Sequence, residues 1–90
     1  MHSVHWVRGA LDDLITIWLQ SDSVLRAKIT SSVHQIDKLL HVDPSSQGES
    51  RPHDRRILIV APLGITYKVL PDDMIVRVLD VWIFEQHESS

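Results

Sequence analysis

Basic side chains cluster between positions 51 and 77 of this 90-residue chain. The set comprises Arg51, Arg55, Arg56, Lys68 and Arg77, and it is accompanied by His53 and Tyr67. The planar guanidinium of arginine donates two parallel hydrogen bonds and therefore suits phosphate groups. Cleavage of RNA by its own 2′-hydroxyl also needs a base, an acid and cations near the developing charge. We therefore expect a phosphate site here, in which His53 or Tyr67 transfers protons.

The distribution of charge agrees with an anion site, although the whole chain has a net charge of −3. Residues 51–77 hold five basic and three acidic residues, whereas the segments on either side of them are acidic. Phosphate affinity depends on such local clustering of Lys and Arg. The alternative is that the cations are solvated and paired with nearby carboxylates, namely Asp54, Asp72, Asp73 or Asp80.

Other chemistry has little support in the sequence. The chain has no cysteine, which excludes disulfides, thiolate metal sites and a cysteine nucleophile. Its six histidines do not form a recognisable metal-ligand pattern, so we expect neither a metal nor a cofactor. No apolar run approaches the ~20 residues that cross a bilayer, and the start MHSVHWVRG is unlike a secretory signal. We expect a cytoplasmic protein that does not bind membranes.

Apolar periodicity predicts a helix hairpin and a set of strands. One apolar stripe, Leu11, Leu14, Ile15 and Trp18, predicts a helix at about 10–20. A second helix at about 22–41 follows, capped by Ser21 or Asp22. Strands are predicted at 2–7, 56–61, 65–70 and 74–84, and an irregular loop at 42–54. We predict a single α+β domain over residues 1–90, of order β-α-α-β-β-β, with the hairpin on one face of a small, mainly antiparallel sheet.

The last predicted strand is apolar on both of its faces. Alternation places Val78, Trp82 and Phe84 on one face, opposite to Arg77. Because the helices cover only one side of the sheet, the other side would expose several large apolar side chains. A contiguous exposed apolar patch is typical of a partner-binding surface. The alternative is that the tail after Phe84, or the loop at 42–54, covers this face.

Three segments together resemble a known family. The first, VHWVRGALDDLITIW, has a strand, a polar break and an Ala-x-x-Asp-Leu helix. The second, IDKLLHVDPSSQGESR, has an apolar helix end followed by Pro, Gly-Glu and Arg. The third, LIVAPLGITYKVLPDDMIVRVLDVW, has a strand hairpin with Tyr and a valine-rich last strand. In this order and spacing they resemble the RelE/ParE superfamily of toxins from type II toxin–antitoxin systems, often labelled plasmid stabilisation proteins. The resemblance covers nearly the whole chain.

The resemblance implies a toxin that a cognate antitoxin wraps and neutralises in a hetero-oligomer, which would use the apolar face with Val78, Trp82 and Phe84. RelE-like members are endoribonucleases that cleave mRNA on the ribosome without a metal, and ParE-like members inhibit DNA gyrase. By position Arg51 and Arg56 match basic residues of the family, and Tyr67 with Lys68 matches its Tyr-Arg. With His53, the residues Arg51, Arg56 and Tyr67 form the expected catalytic set. The residues Arg55, Lys68 and Arg77 are expected to bind phosphate, and Arg77 is expected near Tyr67.

The end of the chain departs from the family pattern. RNA-cleaving members carry a basic or tyrosine-containing segment after the last strand, whereas this chain ends IFEQHESS. From the resemblance we expect growth inhibition by mRNA cleavage, and the departure opens two alternatives. The alternatives are a ParE-like gyrase inhibitor, which is not an enzyme, and an inactive homologue that only binds other proteins.

Overall fold

The computed structural model describes residues 1–84 and contains two helices and five strands. In chain order the elements are β1 (Ser3–Trp6), α1 (Arg8–Leu19), α2 (Ser23–Val42), β2 (Glu49–Arg51), β3 (Arg55–Val60), β4 (Leu63–Leu70) and β5 (Ile75–Ile83). The sheet has the order β1-β5-β4-β3-β2, in which β1 runs parallel to β5 and the other neighbours are antiparallel. The predicted α+β fold is confirmed, with one additional strand.

The helix hairpin is fixed by polar groups at the junction of α1 and α2. Asp22 caps α2, and its carboxylate accepts a hydrogen bond of 2.8 Å from the backbone N–H of Leu25. The Arg26 guanidinium donates to the carbonyls of Trp18 (2.8 Å) and Leu19 (3.1 Å) at the end of α1. It also lies 4.2 Å from the centre of the Trp18 ring. Arg26 therefore fixes the angle at which α2 leaves α1.

Both helices pack on one face of the sheet, which we call the inner face. Ala10, Ile29, Ile36 and Leu40 are fully buried there against strand residues, among them Leu63, Ile65, Tyr67, Val76 and Val78. Complete burial of each large apolar side chain stabilises the fold by about 1.5–3 kcal/mol. The buried Ser32 hydroxyl donates to the Val60 carbonyl at 2.6 Å. The opposite face, the outer face, carries no helix in the described part of the chain.

A β-bulge in β5 changes which of its side chains face inward. Tyr67 pairs with Val78 but Thr66 pairs with Asp80, so Leu79 has no partner on β4. Val76 and Val78 are buried before the bulge, and Val81 is buried after it. The extra residue shifts the alternation by one position. The expected common face of Val78, Trp82 and Phe84 is therefore wrong, because Val78 points inward.

The segment predicted as an irregular loop contains regular structure. A 3₁₀ turn, Pro44–Ser46, leads to β2, which pairs with β3 on the side away from β4. Gly48 has a φ of +66°, and a Cβ there would collide with the Ile57 carbonyl oxygen. A glycine is therefore required where the chain turns against β3, and strand pairing at this edge outweighs the local preference of Pro and Ser for irregular structure.

None of the helices within residues 1–84 combines the length and the apolar character that crossing a membrane requires.

Candidate functional site

Strand register aligns one basic side chain from each of the five strands. His5 of β1 pairs with Arg77 of β5, which pairs with Lys68 of β4. Lys68 also pairs with Arg55 of β3, which in turn pairs with Arg51 of β2. Directly opposed residues of neighbouring strands share a face, so all five side chains lie on the outer face. We call His5, Arg77, Lys68, Arg55 and Arg51 the basic row.

The basic row is not neutralised within the described part of the chain. Neighbouring strands lie about 4.8 Å apart, and like charges that oppose each other across strands are destabilising. Between residues 1 and 84 the only ion pair joins Arg51 to Glu49 at 2.9 Å. Asp54, Asp72, Asp73 and Asp80 therefore do not form the ion pairs with the row that the alternative reading required. A row of cations with one carboxylate partner has the electrostatics of an anion-binding surface.

Apolar residues lie beside the basic row on the outer face. Trp82 pairs with Gly64, and a Cβ on Gly64 would come within 2.5 Å of the Trp82 indole. Gly64 thus makes room for the indole to lie across β4. Ile57 and Ile59 continue this surface on β3. Pro44 and Gln47 of the 42–54 segment bond to the inner-face residues Tyr67 and Arg56, and the tail after Phe84 lies outside the described residues.

Two residues of the expected catalytic set, Tyr67 and Arg56, are paired on the inner face and not in the basic row. Tyr67 is fully buried, and its hydroxyl lies 2.7 Å from the carbonyl oxygens of both Pro44 and Gln47. Nε of Arg56 donates to the Gln47 carbonyl at 2.8 Å. Both side chains therefore hold the 3₁₀ turn and the start of β2 against the sheet.

Burial raises the pKa of Tyr67 above its ordinary value of 10.0, although the nearby Arg56 opposes the shift. The phenol is therefore protonated at neutral pH and closed to solvent, which does not fit the expected proton transfer. The expected proximity of Arg77 to Tyr67 is wrong. Arg77 opposes Lys68 while Tyr67 opposes Val78, so their side chains are on opposite faces of the sheet.

His53 lies in the exposed turn between β2 and β3. It has a φ of 65°, and the following Asp54 has a φ of 60°. Non-glycine residues rarely occupy this left-handed region, and strained positions concentrate at functional sites. This turn joins Arg51, the last residue of β2, to Arg55, the first residue of β3, and both belong to the basic row.

A cavity of about 470 Å³ opens near the same end of the row. Its lining residues are Ser45, Asp54, Lys68, Val69, Leu70 and Pro71. Lys68 belongs both to the cavity and to the row. Sequence reasoning missed this cavity, because it combines the end of β4 with a turn and a loop that are distant in the chain.

A second surface that sequence reasoning missed lies on α1. Its Leu14 and Ile17 pack toward the core, whereas Leu11, Ile15 and Trp18 remain 43%, 55% and 40% exposed. A groove of about 290 Å³ separates this exposed side from α2 and is lined by Leu14, Ile15, Trp18, Ile29, Thr30, Val33 and His34. The segment LITIWL is apolar at almost every position, which signals two apolar faces and not the single stripe that we predicted.

Comparison with known proteins shows similarity in structure only. No protein-family model and no curated protein sequence matches this chain. Its fold is similar to the chromosomal ParDE toxin–antitoxin system of P. aeruginosa, with a TM-score of 0.73, 22% identity, and coverage of 94% of this chain and 98% of that one. The chain has the RelE/ParE toxin fold. The RelE/ParE resemblance seen in the sequence is thereby confirmed for the fold.

Two E. coli structures show the same RelE/ParE fold. The isolated RelE toxin gives a TM-score of 0.63 at 15% identity, covering 98% of this chain and 89% of that one. The intact RelBE toxin–antitoxin complex gives a TM-score of 0.63 at 16% identity, covering 96% of this chain and 100% of that one. These RelE/ParE structures therefore match nearly the full length of the chain.

Proposed function

We propose that this chain is the toxin of a type II toxin–antitoxin module and that the basic row binds the phosphates of its RNA target. The observation that carries the proposal is the alignment of His5, Arg77, Lys68, Arg55 and Arg51 across five strands. Neighbouring cations in one row follow the repeating charge of a nucleic-acid backbone. The RelE and ParE structures of the same fold, two of them toxin–antitoxin systems, support the toxin assignment.

Cleavage of mRNA on the ribosome is the first mechanism that we propose. Arg51, Arg55, Lys68 and Arg77 would hold the phosphates and stabilise charge that develops on the reacting one. His53 would transfer the proton, since a neutral imidazole has one nitrogen that accepts a proton and His53 lies in the turn that joins Arg51 to Arg55. Tyr67 and Arg56 leave the proposed catalytic set because both position the loop from the inner face.

Inhibition of DNA gyrase by binding is the second candidate, and the burial of Tyr67 favours it. Without Tyr67, the basic row and the turn next to it contain two imidazoles, those of His5 on β1 and of His53 between β2 and β3. They belong to opposite edges of the sheet, so one proton-transfer group, and not two, is available at either end. The outer face is thus better equipped for binding than for acid–base chemistry that uses two groups.

We propose that the antitoxin covers the exposed apolar residues of this chain in a cytoplasmic hetero-oligomer. Leu11, Ile15 and Trp18 border the groove between α1 and α2, which suits a short apolar segment. On the outer face, the half-buried Trp82 and Phe84 remain candidates for antitoxin contact. Val78 is removed from the expected antitoxin set because it is fully buried.

Expression tests the proposal. We expect the chain to arrest growth when it is expressed alone and to lose this effect when it is co-expressed with its cognate antitoxin, which would be sought among the genes next to its own. Loss of mRNA integrity would identify the nuclease, and altered plasmid supercoiling with intact mRNA would identify the gyrase inhibitor. The double variant Lys68→Gln/Arg77→Gln should abolish arrest. Its matched control, Arg8→Gln/Lys38→Gln, removes the same charge from exposed helix positions and should retain arrest. Absence of arrest from the wild-type chain would overturn the toxin assignment.

A further inference from the structure

The cavity beside the basic row arises from a step in the sheet. β3 begins at Arg55, opposite Lys68, so Val69 and Leu70 of β4 extend past it. These two residues pair with β5 on one side and have no described strand on the other. With Pro71 they supply the apolar residues of the cavity lining, Val69 from the inner side of β4 and Leu70 from its outer side. The volume of about 470 Å³ lies within the range of about 300–1,000 Å³ that is typical of small-ligand sites.

Three polar residues of different chemistry complete the lining: Ser45, which carries a hydroxyl, Asp54, which carries a carboxylate, and Lys68, which carries an ammonium group. Ser45 is held in place through its neighbour Pro44, whose carbonyl accepts a hydrogen bond from the buried Tyr67 hydroxyl at 2.7 Å. Within residues 1–84 the Asp54 carboxylate takes part in no ion pair, although Lys68 lines the same cavity. The cavity therefore offers a free acceptor next to a cation of the basic row.

We propose that this cavity receives a guanine base from the RNA whose phosphates the basic row binds, an inference that rests on the proposed function. A carboxylate presents two acceptor oxygens and no donor. Among the RNA bases only guanine has two adjacent donors on its Watson–Crick edge, N1–H and the 2-amino group, which one carboxylate can accept together. The apolar residues of the lining, Leu70 and Pro71 with the edge of β4 at Val69, would contact the unstacked base. Lys68 links the base to the phosphates in the row.

Nucleotide titrations test the inference with 5′-GMP, 5′-IMP and 5′-UMP, followed by calorimetry and by amide chemical shifts. IMP differs from GMP by the absence of the 2-amino group. We expect GMP to bind at least about tenfold more tightly than IMP or UMP, as for a paired set of hydrogen bonds to a base. Asp54→Asn should remove this preference. Asparagine tolerates the left-handed backbone of position 54, so the turn should persist.

Two controls separate the cavity from the row. Asp13→Asn neutralises an exposed carboxylate of α1 and should retain the guanine preference. Lys68→Gln should weaken the binding of all three nucleotides by the same factor. Equal affinity for the three nucleotides, or a preference that survives Asp54→Asn, would overturn the inference. If single-stranded RNA still binds in that case, only the cavity assignment fails. If neither RNA nor nucleotides bind, the phosphate site of the proposed function fails with it.

Discussion

Lys68 of β4 lies directly opposite two basic residues at once, Arg77 of β5 and Arg55 of β3. Opposed like charges lower the stability of a sheet, and no carboxylate within residues 1–84 pairs with any of these three. A fold that keeps such an arrangement at its centre gives up stability for an anion-binding surface. Replacement of these charges should therefore affect stability and binding in opposite directions.

The variant Arg77→Gln should be more stable than the wild type. Removal of one like-charge contact across the strands should raise the free energy of unfolding by about 0.2–1 kcal/mol at low ionic strength. The gain should shrink as salt is added, because salt screens exposed charges. Urea unfolding in low and high salt measures both effects. Arg8→Gln, at an exposed position of α1, is the control and should change stability less. A loss of stability in Arg77→Gln would show that Arg77 stabilises the sheet by more than the repulsion of like charges costs.

Tyr67→Phe should destabilise the protein without removing activity from the folded fraction. The bond from the hydroxyl to the Pro44 carbonyl is buried, whereas the Gln47 carbonyl also accepts from Arg56. A buried carbonyl left without a donor, here that of Pro44, costs about 1–3 kcal/mol. We expect this loss in chemical unfolding, together with unchanged RNA binding at a temperature where the variant is folded. Loss of activity in fully folded Tyr67→Phe would return Tyr67 to the catalytic set.

The pH dependence of stability gives a second test of Tyr67. Its folded pKa is raised by burial, so the folded state holds the phenolic proton more tightly than the unfolded chain does. This contribution is complete below the ordinary pKa of 10.0 and is lost as pH rises through the folded pKa. The wild type should therefore lose more stability than Tyr67→Phe above about pH 10. If the free energies of unfolding of the two proteins changed in parallel with pH, the result would contradict the burial of the phenol.

The helices and most strands could be predicted from the sequence because their apolar periods are local. The bulge at Leu79 could not, since it is a property of the pairing between β4 and β5 and not of either strand alone. The same pairing assigns Arg77 and Tyr67 to opposite faces. The basic residues were predicted as a cluster, but their alignment also needs His5 from parallel β1 and Arg51 from β2, a strand within a segment rich in Pro, Gly and Ser.

Ile15→Ser should weaken binding of the antitoxin while leaving the toxin folded. Ile15 is 55% exposed, so its replacement should change the free energy of unfolding by no more than about 0.5 kcal/mol. Loss of an apolar contact at the centre of an interface costs more than about 1 kcal/mol of binding. Pull-down and calorimetry with the product of the adjoining open reading frame measure the effect. Val24→Ser, at a 64% exposed site outside the groove, should bind normally. Equal antitoxin binding by both variants would show that the exposed side of α1 does not bind the antitoxin.

The central claim is that the basic row is a phosphate-binding surface, and the salt dependence of RNA binding tests it most directly. Four permanent cations on single-stranded RNA give a slope of about −2.8 for log K against log salt concentration, and two give about −1.4. We predict a slope of about −2.8 for the wild type and for the control Arg8→Gln/Lys38→Gln. For Lys68→Gln/Arg77→Gln we predict a slope of about −1.4. Equal slopes for the wild type and Lys68→Gln/Arg77→Gln would contradict the claim.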